Sequence, residues 1–229
     1  MSIEAVLIDL GDTLAYIDEE EVESYRRSLL RVVRRHRYQG SPAAFATEFD
    51  RVIRNSMKGE VKNLHEFWRV RVKTIGIQAD EESVVEELED IRRIHSPGLF
   101  KLFNGSLEVL AYLRKRYRLA LVSNCAIGTA ENIEYLNLTP FFECIALSYE
   151  VGSRKPAKPI YSEALRCLNL KGTDCIFVAD EISDLEGARE LGMKTFLVRQ
   201  GKYTTHEAKD LNFKPDYECT RIAEVSNFL

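Results

Sequence analysis

The sequence has no long apolar run and no large excess of one charge, and each absence argues against a class of protein. No apolar stretch approaches the roughly 20 residues that cross a bilayer, so we expect no membrane partner. The formal net charge of −4 does not favour a nucleic-acid partner. The first residues show no basic segment followed by an apolar one, and we therefore expect no signal peptide.

Cysteine is also sparse. The five cysteines form no Cys-x-x-Cys pair and are odd in number, so we expect reduced, structural thiols and a cytoplasmic location. Hydrophobic residues make up 45% of the chain and charged residues 30%, which is typical of a soluble globular protein rather than a disordered one. A length of 229 residues allows one large domain or a domain with a sizeable insertion.

The most informative segment comes first. A short apolar run ends in Asp9, and a turn containing Gly11 and Thr13 follows at once. This pattern predicts a buried strand that presents Asp9 at the edge of a sheet, where ligands of parallel α/β proteins bind. A carboxylate in that position can act as a nucleophile or as a metal ligand.

Apolar residues then recur with helical spacing four times between residues 15 and 97. The stripes are Val22, Tyr25, Leu29, Val33 and His36; Phe45, Phe49, Val52 and Ile53; Leu64, Phe67, Trp68, Val72 and Ile75; and Val84, Leu88, Ile91 and Ile94. No segment in this region has the pattern of a strand. We therefore expect an all-helical unit.

From residue 98 onward the pattern alternates between strands and helices. Strands are predicted at 119–122, 144–147, 175–179 and 194–198, with helices following 106, 129, 159 and 184. This alternation favours a doubly wound parallel sheet, which the first strand must join because a lone strand has no partner. The predicted fold is an α/β, Rossmann-like core of residues 1–14 and 98–229, with residues 15–97 inserted as a helical cap.

Polar residues lie at or beyond the ends of the predicted strands. They are Asp9 and Thr13, then Ser123 and Asn124, then Lys155 in its loop, and finally Asp180 with Asp184. Singly, each has an ordinary explanation as a helix cap, a turn residue or a solvated side chain. Because the carboxyl ends of parallel strands meet at one edge, we expect the residues to converge on one pocket.

The chain resembles members of the haloacid dehalogenase superfamily in four motifs that match in order and spacing. These are DLGDTL at 9–14, LVSN at 121–124, GSRKPAKPIY at 152–161 and VADEISDLEGAR at 178–189. The helical insertion matches the type of cap that this superfamily places between its first two motifs. The resemblance therefore covers nearly the whole core.

The resemblance implies a phosphatase in which Asp9 attacks phosphorus and forms an aspartyl-phosphate that water hydrolyses. Thr13 would orient the nucleophile, and Ser123, Asn124 and Lys155 would bind the phosphate. Mg²⁺ would be held by Asp9, the main-chain carbonyl of Gly11 and Asp180, with Asp184 bound directly or through water. The implied substrate is a small phosphorylated molecule.

Gly11 departs from the pattern of the superfamily. Most of its phosphatases carry aspartate two residues after the nucleophile, and that residue protonates the leaving group. General acid catalysis contributes about 10²–10⁴-fold, so alcohol leaving groups should suffer most from the glycine. Asp12 is a candidate substitute because it lies one place further on, and His65 or His95 of the cap is another.

Two alternatives stay open. The dehalogenase branch also lacks the second aspartate and attacks carbon without a metal. Asp9, Asp180 and Asp184 would repel one another without a cation, however, and this favours a metal and hence phosphate chemistry. The other alternative is a weakly active phosphate-binding or regulatory member. Neither the physiological substrate nor the choice between monomer and homodimer can be read from the residues.

Overall fold

Strands and helices alternate along the chain, as the periodicity predicts. The computed structural model describes residues 2–57, 61, 63–77, 80–201 and 213–229, and these form eight strands and nine α-helices. The strands are β1 (Ala5–Ile8), β2 (Ala15–Ile17), β3 (Phe100–Leu102), β4 (Arg118–Ser123), β5 (Cys144–Leu147), β6 (Cys175–Ala179), β7 (Lys194–Val198) and β8 (Tyr217–Cys219). The helices are α1 (Glu19–Arg35), α2 (Pro42–Ser56), α3 (Leu64–Thr74), α4 (Glu81–His95), α5 (Ser106–Leu113), α6 (Thr129–Tyr135), α7 (Ser148–Val151), α8 (Lys158–Leu168) and α9 (Ile182–Arg189).

Six strands form one parallel sheet in the order β5-β4-β1-β6-β7-β8. Strand β1 is central, and its four residues are completely buried because helices cover both faces. Apolar residues of α5 pack on one face, and those of α8 and α9 pack on the other. The predicted α/β fold is confirmed, and the order places the carboxyl ends of β4, β1 and β6 side by side.

Helices α1–α4, here called the helical unit, pack around an apolar cluster of their own. Their starts follow from local chemistry: the side chains of Asp18, Ser41, Asn63 and Asp80 each accept a main-chain N–H of the first turn. The predicted stripes supply the cluster, in which Leu29, Trp68 and Val84 are buried. The four helices predicted from periodicity are therefore present.

The expectation that residues 15–97 contain no strand is wrong at their start. Residues Ala15–Ile17 form β2, which pairs antiparallel with β3, Ala15 lying opposite Leu102 and Ile17 opposite Phe100. Only three residues take part on each side, and the partner lies beyond all four helices in the sequence. Such a short pair leaves no periodic pattern for sequence reasoning to find.

The expectation of five free thiols is also wrong for two cysteines. Cys144 of β5 and Cys167 of α8 form a disulfide, with their Cα atoms 6.2 Å apart. The other three cysteines are free and buried, as expected of structural thiols. Within the described ranges, no helix has the length and apolar character required to cross a bilayer.

Candidate active site

Asp9 follows directly after β1, in the middle of the sheet edge. Its main-chain N–H donates to the carbonyl of Val178 at 2.9 Å, which continues the pairing of β1 with β6 by one residue. Its Oδ1 accepts the N–H of Leu10 at 2.7 Å and lies 2.7 Å from Nζ of Lys155. The buried carboxylate is therefore fixed in orientation by the main chain and by a cation.

Lys155 lies between two carboxylates. Its Nζ is 2.7 Å from Oδ1 of Asp9 and 2.9 Å from Oδ2 of Asp184, and the residue is only 4% exposed. Burial by itself would lower the pKa of Lys155, but the charges of Asp184 and Asp9 outweigh it and raise the pKa above its usual value. The ammonium group therefore stays charged across the physiological range.

Asn124 holds the main chain of Lys155 in place. Its Oδ1 accepts the N–H of Lys155 at 2.7 Å, and its Nδ2 donates to the carbonyl of the same residue at 3.1 Å. Gly187 of α9 supports the loop from the other side, since a Cβ there would lie 2.3 Å from the carbonyl oxygen of Pro156. Sequence reasoning assigned Asn124 to phosphate binding and did not anticipate this anchoring.

Asp180 follows β6, beside Asp9. Thr13 donates its hydroxyl to Oδ1 of Asp180 at 3.3 Å, so the expected hydrogen bond from Thr13 to Asp9 is replaced by one to the neighbouring carboxylate. Gln200 fixes Thr13 in turn, donating to its carbonyl oxygen at 2.5 Å while accepting the N–H of Ile222 at 2.8 Å. Gln200 was missed from the sequence because its partners lie 187 and 22 residues away.

Two carboxylates of the site, those of Asp9 and Asp180, are difficult to ionise. Burial raises the pKa of Asp9 to about 6, because the effects of Lys155 and of the main-chain hydrogen bond offset only part of it. Burial and the charge of Asp9 raise the pKa of Asp180 to about 8. Three buried carboxylates thus share a single buried cation, and the site carries more negative charge than it balances.

Three of the predicted ligands, Asp9, Asp180 and the carbonyl of Gly11, offer oxygen donors that suit a magnesium ion. The fourth, Asp184, is engaged by Lys155. In the part of the chain that the structure describes, no three His, Cys, Asp or Glu side chains are grouped closely enough to enclose a metal. The carboxylates of Asp9 and Asp180 and the carbonyl of Gly11 are hard oxygen donors, and Mg²⁺ commonly uses one or two carboxylates with water completing its shell.

Gly11 faces open space. It is exposed, and a Cβ built on it would meet no atom within 4 Å. Asp12, in contrast, has a left-handed backbone with φ of 52°. Its side chain lies against Gly201, since a Cβ added to that glycine would be 2.6 Å from the Cβ of Asp12. The charge of Asp12 contributes to the raised pKa of Asp180, so this residue lies beside the candidate metal ligands.

The two histidines considered as substitute acids, His65 and His95, contact carboxylates of the helical unit. His95 lies 2.6 Å from Oε1 of Glu21 through Nδ1 and 3.1 Å from Oγ of Ser28 through Nε2. His65 lies 3.3 Å from Oε1 of Glu82. These contacts explain both rings as parts of the helical unit, so neither is supported as the missing acid.

Ser123 is the last residue of β4, the strand next to β1. It is buried at the same edge of the sheet as Asp9, one residue before the anchor Asn124. Asp9, Lys155 and Asp184 are therefore linked by direct contacts. Thr13 binds Asp180 through its hydroxyl, and Ser123 ends the strand that neighbours β1. The predicted convergence at the sheet edge agrees with this geometry.

Comparison with known proteins identifies the family. The sequence model of the haloacid dehalogenase-like hydrolase family matches residues 3–192, which include all four motifs. The chain belongs to this family. It is thus a hydrolase, and the expected family resemblance is confirmed.

Two curated relatives of the hydrolase are each named glyceraldehyde 3-phosphate phosphatase. The protein of Methanopyrus kandleri is 27% identical over 97% of this chain and 95% of its own length. The protein of Pyrococcus furiosus is 25% identical over 99% of this chain and 93% of its own length. These relatives span the whole molecule, including the helical unit.

Solved structures show that the fold is shared. A 2-haloacid dehalogenase from Pseudomonas syringae pv. Tomato has a TM-score of 0.77 at 20% identity and covers 98% of this chain and 97% of its own. A HAD phosphatase from Thermococcus onnurineus has a TM-score of 0.67 at 18% identity and covers 99% and 97%. Because the two have different activities, similarity of fold does not choose between them.

Proposed function

We propose that this hydrolase is a Mg²⁺-dependent phosphomonoester phosphatase with Asp9 as its nucleophile. The observation that carries the proposal is the buried Asp9, 2.7 Å from Lys155 and next to a second carboxylate, Asp180, whose charge the lysine does not balance. Excess carboxylate at a phosphate-binding edge is the arrangement that a divalent cation neutralises. The relatives named as phosphatases support the same chemistry.

In the proposed reaction, a carboxylate oxygen of Asp9 attacks phosphorus. The bond from phosphorus to the ester oxygen breaks, and that oxygen leaves with the bonding electrons as an alkoxide or phenoxide, which takes a proton from solvent water. Water then attacks the phosphorus of the aspartyl-phosphate, which releases inorganic phosphate and restores the carboxylate. Lys155 and the hydroxyl of Ser123 would stabilise the charge on the equatorial oxygens, because catalysis of phosphoryl transfer is largely positioning and electrostatics.

Asp9, Asp180 and the carbonyl of Gly11 would hold the magnesium ion. When bound, the ion supplies charge neutralisation that lets an anionic nucleophile approach an anionic substrate. Asp184 would keep Lys155 in place through their 2.9 Å contact rather than bind the ion directly.

We also propose that residues 15–97 form a cap over the sheet edge. Arg92 of α4 is buried and donates to the carbonyl of Gly128 at 3.0 Å and to Oε2 of Glu131 at 2.5 Å. Gly128 belongs to the loop that begins with Asn124, so this contact ties the helical unit to the segment that anchors Lys155. A cap in this position excludes water and selects substrate.

The proposal is tested with p-nitrophenyl phosphate, whose leaving group departs without a proton donor. We expect turnover that requires Mg²⁺ and that falls by at least about 10³-fold in Asp9→Asn. Glyceraldehyde 3-phosphate is the first natural ester to try, because the two relatives are named as phosphatases of that compound.

Metal-independent release of halide from a 2-haloacid would support the dehalogenase instead. Mg²⁺-dependent binding without turnover would support the weakly active alternative.

Gly11→Asp tests the proposed effect of the missing acid. The open space at this position accommodates the new side chain. If leaving-group protonation limits the rate, activity on alkyl phosphates should rise by about 10-fold or more, while activity on the aryl ester changes little. An equal change on both esters would contradict this explanation of Gly11.

A further inference from the structure

The helical unit contains buried hydrogen-bond donors for which the structure gives no acceptor. Among the described residues, these are Nη1 and Nη2 of Arg71, Nε1 of Trp68 and Nε of Arg26. Arg71 is 4% exposed and Trp68 is 1% exposed. A buried N–H group without an acceptor costs about 1–3 kcal/mol, and more when it is charged.

The donors belong to one cluster. The guanidinium carbon of Arg71 lies 3.4 Å from the ring centre of Phe49, 5.3 Å from that of Phe67 and 4.9 Å from that of Trp68. The guanidinium of Arg26 lies 6.0 Å from the same Phe49 ring. Aromatic faces attract the positive charge, but they leave the in-plane N–H groups of Arg71 without acceptors.

Among the residues that the structure describes, no carboxylate forms an ion pair with Arg71. The acid whose charge acts on Arg71 is Asp50, and its Oδ1 is bound by Nη2 of Arg26 at 2.9 Å. Burial lowers the pKa of Arg71 to about 9, and the neighbouring Arg26 lowers it further, while Tyr25 and Asp50 act in the opposite direction. The cluster therefore combines a surplus of positive charge with a surplus of donors.

We propose that this cluster is a binding site for a small carboxylate. Two parallel N–H groups of a guanidinium match the two oxygens of a carboxylate, so Nη1 and Nη2 of Arg71 would bind it as a pair. Trp68 lies three residues earlier on the same face of α3 and would add its indole N–H. The site lies between α1, α2 and α3, which carry none of the residues proposed to bind or attack the phosphate.

Trp68 gives a direct readout, because it is the only tryptophan of the chain. The full-length protein is titrated with malonate and with acetate, and potassium chloride at matched ionic strength serves as the reference. We expect a saturable change in tryptophan emission and a higher unfolding temperature with either carboxylate. Asp9→Asn should respond like the native protein, so the result does not depend on turnover.

Arg71→Met removes the donors and keeps an unbranched apolar side chain. We expect carboxylate affinity to fall by about tenfold or more in this variant, and to fall less in Arg71→Lys. Arg69→Met is the matched control, since Arg69 is exposed on the same helix and carries the same charge. If Arg71→Met does not fold, Arg71→Lys and Arg69→Met decide.

Three outcomes would overturn the proposal. The first is that neither tryptophan emission nor unfolding temperature of the native protein responds to the carboxylates more than to potassium chloride at the same ionic strength. That result would show that water alone satisfies the donors. An equal loss of affinity in Arg69→Met and in the Arg71 variants would indicate general charge screening. An undiminished response in Arg71→Met would place the carboxylate elsewhere.

Discussion

Two buried charge clusters of this hydrolase differ in what they lack. At the sheet edge, Asp9, Asp180 and Asp184 share Lys155, and the pKa of the first two is raised. In the helical unit, Arg71 is surrounded by aromatic rings, and its pKa is lowered. The first cluster has too few positive charges, and the second provides no acceptor for Nη1 and Nη2 of Arg71.

The difference shows how an imbalance of buried charge can indicate a ligand. A protein rarely keeps a costly buried charge unless binding or catalysis uses it, so each surplus points to an ion of the opposite sign. A cation would complete the sheet-edge cluster, and an anion would complete the cluster of the helical unit. The two clusters can be compared by removing the central cation of each.

Lys155→Met should have the largest effect. The variant leaves Asp9 and Asp184 without their cation, and breaking a buried ion pair in this way costs about 3–5 kcal/mol. We expect the free energy of unfolding, measured with urea at pH 8 without Mg²⁺, to fall by about that amount. Lys158→Met is the control, because Lys158 is exposed and its loss should cost about 0.5 kcal/mol or less.

The raised pKa of Asp180 should make the free energy of unfolding depend on pH. The unfolded chain releases the proton of Asp180 near pH 3.8, but the folded protein holds it up to about pH 8. The folded state therefore binds more protons between these values, and its stability falls as pH rises. We expect a loss of about 3–4 kcal/mol between about pH 5 and pH 8 in EDTA.

Asp180→Asn should flatten this pH dependence, and Mg²⁺ should restore stability at pH 8 in the native protein but less in the variant. Urea unfolding at several pH values measures both effects. Stability of the metal-free native protein that rises through this range would contradict the assignment of a carboxylate surplus to the sheet edge.

Asn124→Ala should lower activity more than stability. It removes both hydrogen bonds to the main chain of Lys155, so Nζ is no longer held at Asp9. We expect kcat/KM for p-nitrophenyl phosphate to fall by about 10–100-fold, since small displacements of catalytic groups have effects of this size. Asn124→Asp keeps the acceptor for the N–H of Lys155 and should lose less; equal activity of all three proteins would refute the anchoring role.

Arg71→Met should have the smallest effect on stability. Without a carboxylate ligand, relief of the unpaired buried charge offsets the loss of contacts with the aromatic rings. We expect the free energy of unfolding in carboxylate-free buffer to change by about 1 kcal/mol or less. A loss as large as that of Lys155→Met would show that the two clusters are stabilised in the same way.

The elements that periodicity defines were predictable. Strands at Cys144–Leu147, Cys175–Ala179 and Lys194–Val198 were expected with the bounds that the structure shows, because each contains a short apolar run next to turn residues. Strands β2, β3 and β8 were not predicted. Each has only three residues, and its pairing depends on a partner that sequence order does not reveal.

The site was predictable as a set of residues but not as a set of contacts. The positions of Asp9, Lys155 and Asp180 at or after predicted strands indicated one edge of the sheet, and the strand order explains why they meet there. The hydrogen bond from Thr13 to Asp180 joins residues 167 positions apart, and the choice between two adjacent carboxylates depends on side-chain packing. Arg71 gave no signal at all, because an arginine on an amphipathic helix is ordinarily solvated.

The chain leaves the sheet layer through β2 and returns to it through β3, and these two strands are paired. Ile17 lies opposite Phe100, so the segment between them begins and ends at residues whose Cα atoms are about 5 Å apart. Each doubling of such a loop costs only about 0.6 kcal/mol in closure entropy. Insertions of quite different length could therefore be exchanged at this point, and the range of substrates could change while Asp9 and Lys155 stay where they are.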